Sequence, residues 1–157
     1  GTLMAAWVIA YSIVQTVAPK ITIIGKTAKG NITHPSGRTA FRWVGILCLV
    51  PGAIAWGVYA AGLDTSMLAI GLVSGLLLFG ALFAINSSIH SYLIVAYARE
   101  DGTSLDVGFY YMCNAAGRLV GTLLSGLVYQ QFGLVACLVL SSAMLIVTAV
   151  ISRKLPA

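Results

Sequence analysis

The sequence predicts an all-α membrane protein with five transmembrane helices, on three observations. First, 59% of its 157 residues are hydrophobic and only 8% are charged, whereas a soluble domain carries about 25% charged residues. Second, the apolar residues form blocks long enough to cross a bilayer, for which a helix needs about 20 residues. Third, nearly all Lys and Arg residues fall in the connections that five spans would place on one side of the membrane. Lipid is therefore expected to cover most of the surface.

Five apolar blocks define the predicted spans of a single transmembrane domain. They cover residues about 2–18, 41–61, 66–98, 107–129 and 134–151. The first helix is predicted to end at Pro19, because proline cannot continue the helical hydrogen-bond pattern. The third block exceeds one crossing, but two spans and a turn would need about 40 residues. Since neither Pro nor a charge interrupts it, it is predicted to be one helix that continues past the membrane surface.

Charge placement predicts the orientation of these spans. Eight of the nine Lys and Arg residues fall in or beside loops 19–40 and 99–106 or in the C-terminal tail: Lys20, Lys26, Lys29, Arg38, Arg42, Arg99, Arg153 and Lys154. The opposite turns hold no Lys or Arg. Since cytoplasmic loops carry an excess of basic residues, both loops and the C-terminus are predicted to be cytoplasmic. The net charge of +5 is accordingly a topology signal, and no nucleic-acid partner is expected.

One basic residue, Arg118, lies inside the fourth span. It is roughly 16 Å along the helix from Val107, near the middle of a hydrocarbon core about 30 Å thick. An arginine there costs at least about 2.5–3.5 kcal/mol, so it is expected to face protein or water. It is predicted to contact or gate an anion; the alternative is a structural arginine bonded to helix carbonyls or to an acid. Tyr110 and Asn114 precede it at four-residue steps and complete a candidate substrate-binding stripe.

The third span carries a second polar face. Asn86, His90 and Tyr97 follow one another at steps of four and seven, and Asn86 is predicted at about the depth of Arg118. His90 would titrate near neutral pH and couple transport to protons, or it is a neutral histidine hydrogen-bonded between helices. In the first span Tyr11 is a weaker candidate for the same cavity.

No catalytic, metal or cofactor pattern accompanies these residues. All four acidic residues lie in predicted loops, so no acid–base pair forms within the membrane. The three cysteines lie in apolar blocks without CxxC spacing and are interpreted as packing residues, with a thiol role as the alternative: Cys48, Cys113 and Cys137. Neither an enzymatic activity nor a cofactor is expected.

Spans of alternating polarity joined by a basic loop resemble the halves of major facilitator superfamily transporters. The stretch from Leu76 to Gln130, LLLFGALFAINSSIHSYLIVAYAREDGTSLDVGFYYMCNAAGRLVGTLLSGLVYQ, is more specifically similar to the ArsJ family of organoarsenical efflux transporters. WVIAYSIVQTVAP and GRTAF, from the first block and the basic loop, look like that family too.

The resemblance implies a bacterial inner-membrane permease of twelve helices, of which this chain would supply helices eight to twelve. The absence of an initiator Met and the odd number of spans predict the same C-terminal part of a larger bundle. The implied substrate is 1-arseno-3-phosphoglycerate, formed when a glyceraldehyde-3-phosphate dehydrogenase uses arsenate, and its export would confer arsenate resistance. The partners implied are this small anion, the lipid bilayer, the missing N-terminal half and, functionally, the dehydrogenase.

Two other interpretations stay open. One is a major facilitator permease for another anion or a drug, including a proton-coupled one. The other is a membrane protein that binds a partner and transports nothing.

Overall fold

The computed structural model describes residues 1–22, 35–60 and 65–155. In this part of the chain all regular structure is helical, which confirms the all-α prediction. The helices are α1 (Thr2–Thr22), α2 (Gly37–Ala60), α3 (Thr65–Tyr97) and α4 (Thr103–Ser152), with a 3₁₀ turn at Glu100–Gly102. Predictions for residues 23–34 and 61–64, including those for Lys26 and Lys29, lie outside the described residues.

Three of the described helical segments are long and apolar enough to cross a membrane. They are Gly37–Ala60, Met67–Tyr97 and Glu100–Ser152, judged by length and composition. Large apolar side chains also remain exposed on their surfaces, among them Leu49, Trp56 and Ile70. An apolar surface of this extent is compatible with lipid as the solvent.

The third apolar block is a single helix, as predicted. α3 runs without interruption for 33 residues, a length of roughly 50 Å at 1.5 Å per residue, so it exceeds the thickness of a bilayer core.

The predicted helix ends at two other places are wrong. α1 passes Pro19 and continues to Thr22, because a proline in the last turn removes only one backbone N–H and leaves the earlier bonds intact. α2 begins at Gly37, inside the predicted loop 19–40. Gly37 and Ala40 are both buried in this first turn, so packing extends the helix beyond the apolar block.

α4 is bent back on itself at Gly133, where the backbone has φ 79°. The Cys137 thiol donates a hydrogen bond to the Ser125 carbonyl at 3.5 Å. Twelve residues along a straight helix would separate these groups by roughly 18 Å. The two arms of α4, residues 103–132 and 134–152, therefore lie side by side, and the break falls between the predicted fourth and fifth spans.

α1 and α3 pack side by side and run parallel. The indole Nε1 of Trp7 donates to the Leu76 carbonyl at 3.4 Å, and the Tyr11 and Phe83 rings lie 6.3 Å apart. Residue numbers thus rise together along the contact. Gly80 permits the close approach, since a Cβ there would lie 2.6 Å from Trp7 Nε1.

α2 packs antiparallel to the second arm of α4. Ser142 Oγ donates to the Cys48 carbonyl at 3.1 Å, and the Arg153 guanidinium lies 5.6 Å from the centroid of the Phe41 ring. From the first contact to the second, the residue number falls along α2 and rises along α4, so the two helices run in opposite directions.

A small apolar core marks one end of the bundle. It combines the end of α1, the start of α2 and the second half of α3 with the C-terminal tail: Ala18, Ala40, Ile85, Ile89 and Leu93, against which Val14, Trp43 and Leu155 pack. The end of the molecule at this core, the basic end, therefore carries six of the basic residues: Lys20, Arg38, Arg42, Arg99, Arg153 and Lys154.

Candidate functional site

Two polar side chains on α3, Asn86 and His90, each have a buried atom without a hydrogen-bond partner among the described residues. Asn86 is only 7% exposed, and among the described residues neither its Oδ1 nor Nε2 of His90 has a hydrogen-bond partner. The buried neighbours Ile85 and Ile89 are apolar. A buried polar atom left unpaired costs roughly 1–3 kcal/mol, so this pair is suited to receive a water molecule or a polar ligand.

Arg118 lies halfway along the first arm of α4. Fifteen residues separate it from Thr103 at one end and from Gly133 at the other, so each end is roughly 22 Å away. Residues 111–120 are all exposed. The carbonyl of Arg118 accepts a hydrogen bond from Thr122 Oγ1 at 2.8 Å. The ion pair found in the described part of the chain joins other residues, Arg99 and Asp106.

Asn114 and Tyr110 lie on the same arm, four and eight residues before Arg118. Asn114 is exposed, and Tyr110 is half-buried with its ring edge-on to Tyr111 at 5.4 Å. Because this arm is continuous helix, the three candidate side chains remain on one stripe. A cation, an amide and a phenol in that order offer donors to an anion.

Tyr11 lies in an aromatic contact between α1 and α3. Its ring stacks on Trp7 at 5.6 Å and lies near Phe83, and Phe83 stacks on Phe79 at 5.9 Å. This aromatic cluster was missed in the sequence, although the four-residue spacing within each helix was a usable signal. Packing between the two helices accounts for the position of the Tyr11 ring.

The candidate residues of α3 and α4 are not brought together. Both helices line an open cavity of about 480 Å³, and its lining includes Tyr97 and Phe109. Measured from those residues, Asn86 is roughly 16 Å and Arg118 roughly 14 Å along its helix, so their heights are similar. Nine residues turn a helix by about 900°, however, which places Arg118 on the side opposite Phe109. Asn86 is buried while Arg118 faces away from α3.

A bidentate ion pair fixes the turn between α3 and α4. Arg99 Nη2 lies 2.9 Å from Asp106 Oδ1, and the Arg99 side-chain Nε and backbone N both donate to Asp106 Oδ2. The hydrogen bond from the Arg99 side chain lowers the pKa of the Asp106 carboxyl below its usual value. Sequence reasoning missed this pair, although opposite charges seven residues apart across a Gly-containing turn were visible in it.

The described residues contain no group of three or more His, Cys, Asp or Glu that could hold a metal ion. Cys48, Cys113 and Cys137 are all free thiols. The Cys48 thiol donates to the Gly45 carbonyl at 3.0 Å, a local hydrogen bond within α2, whereas the Cys137 thiol bonds across the two arms of α4 to the Ser125 carbonyl.

Comparisons with known protein families, with curated proteins and with solved structures found no match to this chain.

Proposed function

We propose that this chain forms five spans of a membrane transporter that exports a small organic anion. α1, α2, α3 and the two arms of α4 would each cross the bilayer once. The reversal of α4 at Gly133 supports the number of five spans, because it divides one long apolar segment into two antiparallel helices of membrane-spanning length.

Arg118 carries the proposal. A guanidinium in the middle of a membrane helix is costly in lipid and marks a functional site by default. The described bundle does not cover it, since every residue from 111 to 120 is exposed. This stripe of the arm is therefore expected to face a polar path, with further protein on the other side of it. An anion is the ligand that a guanidinium flanked by amide and phenol groups would bind.

The unpaired atoms of Asn86 and His90 are a second polar position at a similar height. In an alternating-access transporter, helices shift around a central site. A shift of the first arm relative to α3 would give these two side chains access to the same path as Arg118.

The basic end sets the proposed orientation. The excess of Lys and Arg at one end of the bundle is typical of a cytoplasmic surface, so we place the C-terminus in the cytoplasm and the Gly133 turn outside. The proposed location is the inner membrane of a bacterium.

The substrate we propose is 1-arseno-3-phosphoglycerate, in keeping with the resemblance of Leu76–Gln130 to the ArsJ-type exporters of the major facilitator superfamily. The remaining helices of such a transporter would cover the exposed first arm, and a glyceraldehyde-3-phosphate dehydrogenase would supply the substrate. A multiply charged anion needs a cation along an otherwise apolar path, and Arg118 is that cation.

The test is arsenate resistance in cells that express the full-length transporter with its dehydrogenase. Arg118→Ala is expected to lower transport by about 10- to 150-fold, as loss of a charged hydrogen-bonding partner costs about 1.5–3 kcal/mol. Arg118→Lys should retain part of the activity. Leu119→Ala, an exposed neighbour on the same arm, is the matched control.

Two outcomes would count against different parts of the proposal. Full protection by Arg118→Ala would remove the anion role of Arg118. No protection by the wild-type transporter would remove the arsenical substrate, and a screen of other anions in vesicles would then identify the cargo.

The exposure of the first arm also favours a second candidate, a membrane protein that binds another helical protein through this arm and transports nothing. Under that hypothesis reconstituted vesicles would show no flux of any anion, while Arg118→Ala would release the bound partner.

A further inference from the structure

A cavity at the basic end lies between the start of α2 and the end of α4. Its volume is about 310 Å³, and its lining is contributed by both helices and the tail: Gly37, Arg38, Phe41, Ser152, Arg153 and Leu155. None of the residues proposed for transport lies here, so the cavity needs an explanation of its own.

The cavity is lined by two positive side chains, Arg38 and Arg153. Arg38 and Arg153 are exposed, and neither forms an ion pair with a carboxylate that the structure describes. Arg153 is held against the Phe41 ring, 5.6 Å from its centroid, by a cation–π contact from α4 to α2. That contact orients the guanidinium but leaves its donors available to an anion.

The start of α2 adds to the positive potential. The Thr39 and Ala40 amides both donate to the Ser36 carbonyl, at 2.9 and 3.1 Å, so the amides of Gly37 and Arg38 precede the helical hydrogen-bond pattern. The positive end of the α2 dipole is therefore at the cavity.

The surface beside the cavity is apolar. Exposed apolar side chains occur near it at the start of α2 and at the end of α4: Phe41, Val147, Val150 and Ile151. Further along α2, Ile46 and Leu49 line an apolar groove that α2 shares with α3. A ligand with a negative head and long hydrocarbon chains matches this combination, whereas a free anion would use only the cavity.

We propose that this cavity binds the phosphate of an anionic phospholipid in the cytoplasmic leaflet, with the acyl chains along α2 and the second arm of α4. Basic pockets between membrane helices on that side are where such headgroups bind. The proposal requires the membrane location but does not depend on which anion is transported. The acyl chains would stabilise the packing of α2 against the second arm of α4, which Ser142 and Cys48 join by a hydrogen bond.

The experiment is lipid binding by the purified full-length protein in detergent, followed by native mass spectrometry. Phosphatidylglycerol is expected to bind more tightly than phosphatidylcholine. Arg38→Gln and Arg153→Gln should each weaken phosphatidylglycerol binding about fivefold, the effect of one basic residue near an anionic headgroup, and together about 25-fold. Lys154→Gln is the matched control, because Lys154 neighbours the cavity without lining it.

Three results would overturn the proposal. The first is unchanged phosphatidylglycerol binding in the double variant, and the second is equal binding of phosphatidylcholine. The third is inorganic phosphate competing at concentrations similar to those of the lipid, which would make the cavity a site for free anions. If Arg153→Gln does not fold, Arg38→Gln alone decides, since this exposed side chain takes no part in the Phe41 contact. Transport of arsenical is measured separately, so failure of either proposal is distinguishable from failure of the other.

Discussion

At the scale of single residues, the polar groups within the apolar helices differ in how they are surrounded. Arg118 is a charged residue on the exposed first arm of α4. A partner outside the described bundle would account for a charge at this position. Asn86 is enclosed by the bundle and has an unpaired oxygen. The Arg118 guanidinium costs free energy when lipid replaces the water around it. The unpaired Asn86 oxygen already costs free energy in the folded chain.

Replacement of Asn86 by Leu is predicted to stabilise the chain while abolishing transport. Removal of the unpaired amide recovers part of its desolvation cost, and we expect a gain of about 1 kcal/mol. The measurement is the thermal unfolding midpoint in detergent. Asn114→Leu, at an exposed position, should leave that midpoint unchanged. A marked loss of stability in Asn86→Leu would instead mean that Asn86 has a hydrogen-bond partner in the membrane.

At the scale of elements, α4 shows how one residue divides a long apolar segment. Residues 103–152 have no Pro and little charge, so local propensity alone would allow an extended helix. Gly133 adopts φ 79° and ψ −173°, a region that is essentially restricted to glycine. The hairpin that results brings the second arm back against α2, where Ser142 and Cys48 meet.

Gly133→Ala is predicted to destabilise the contact between the arms of α4 by about 1–3 kcal/mol, the cost of a side chain in this backbone conformation. The effect is one of backbone strain, because a Cβ at this position would meet no atom within 4 Å. Gly126→Ala is the control: its Cβ also has open space, and in a helix interior the change should stabilise by roughly 0.5–1 kcal/mol. Equal unfolding midpoints for the two variants would contradict a strained turn at Gly133.

At the scale of the whole molecule, the directions of the helices place the basic residues at one end of the bundle. The parallel pair of α1 and α3 and the antiparallel contact of α2 with the second arm place the end of α1, the start of α2 and the C-terminal tail around one core. Because these three segments meet at one core, the basic residues within them lie at the same end of the bundle.

Thiol labelling in intact cells tests the proposed orientation. In a background with Cys48, Cys113 and Cys137 replaced by Ala, Gln131→Cys is predicted to react with a membrane-impermeant reagent, since the Gly133 turn is placed outside. Lys154→Cys should react only after the cells are opened. The reverse pattern would invert the topology. Reaction of both from one side would show that the second arm does not cross the membrane.

Much of the architecture followed from local patterns. The continuity of α3 and the break between Tyr129 and Leu134 were predicted, because an uninterrupted apolar run favours one helix and a Gly beside polar residues favours a turn. The extension of α1 past Pro19 was not predicted, since proline disfavours helix locally while the cost in a last turn is small.

The candidate site was predictable only in part. Spacing placed Tyr110, Asn114 and Arg118 on one stripe, and Asn86 with His90 on another, because residues four apart share a helical face. Which way each stripe faces depends on how α3 and the first arm rotate against their neighbours. Tyr97 of α3 and Phe109 of the first arm line one cavity, and Arg118 lies on the side of the arm opposite Phe109.

The sequence by itself therefore determined a helical, lipid-compatible chain, the positions of its apolar segments and the few polar residues within them, since composition and period-3.6 spacing are local properties. Only the tertiary structure decided that Asn86 Oδ1 is buried without a partner among the described residues, that Arg118 is exposed and that Arg38 and Arg153 line one cavity. Each of these depends on contacts between helices distant in sequence, and such contacts follow from packing of whole faces, for which no local pattern carries the information.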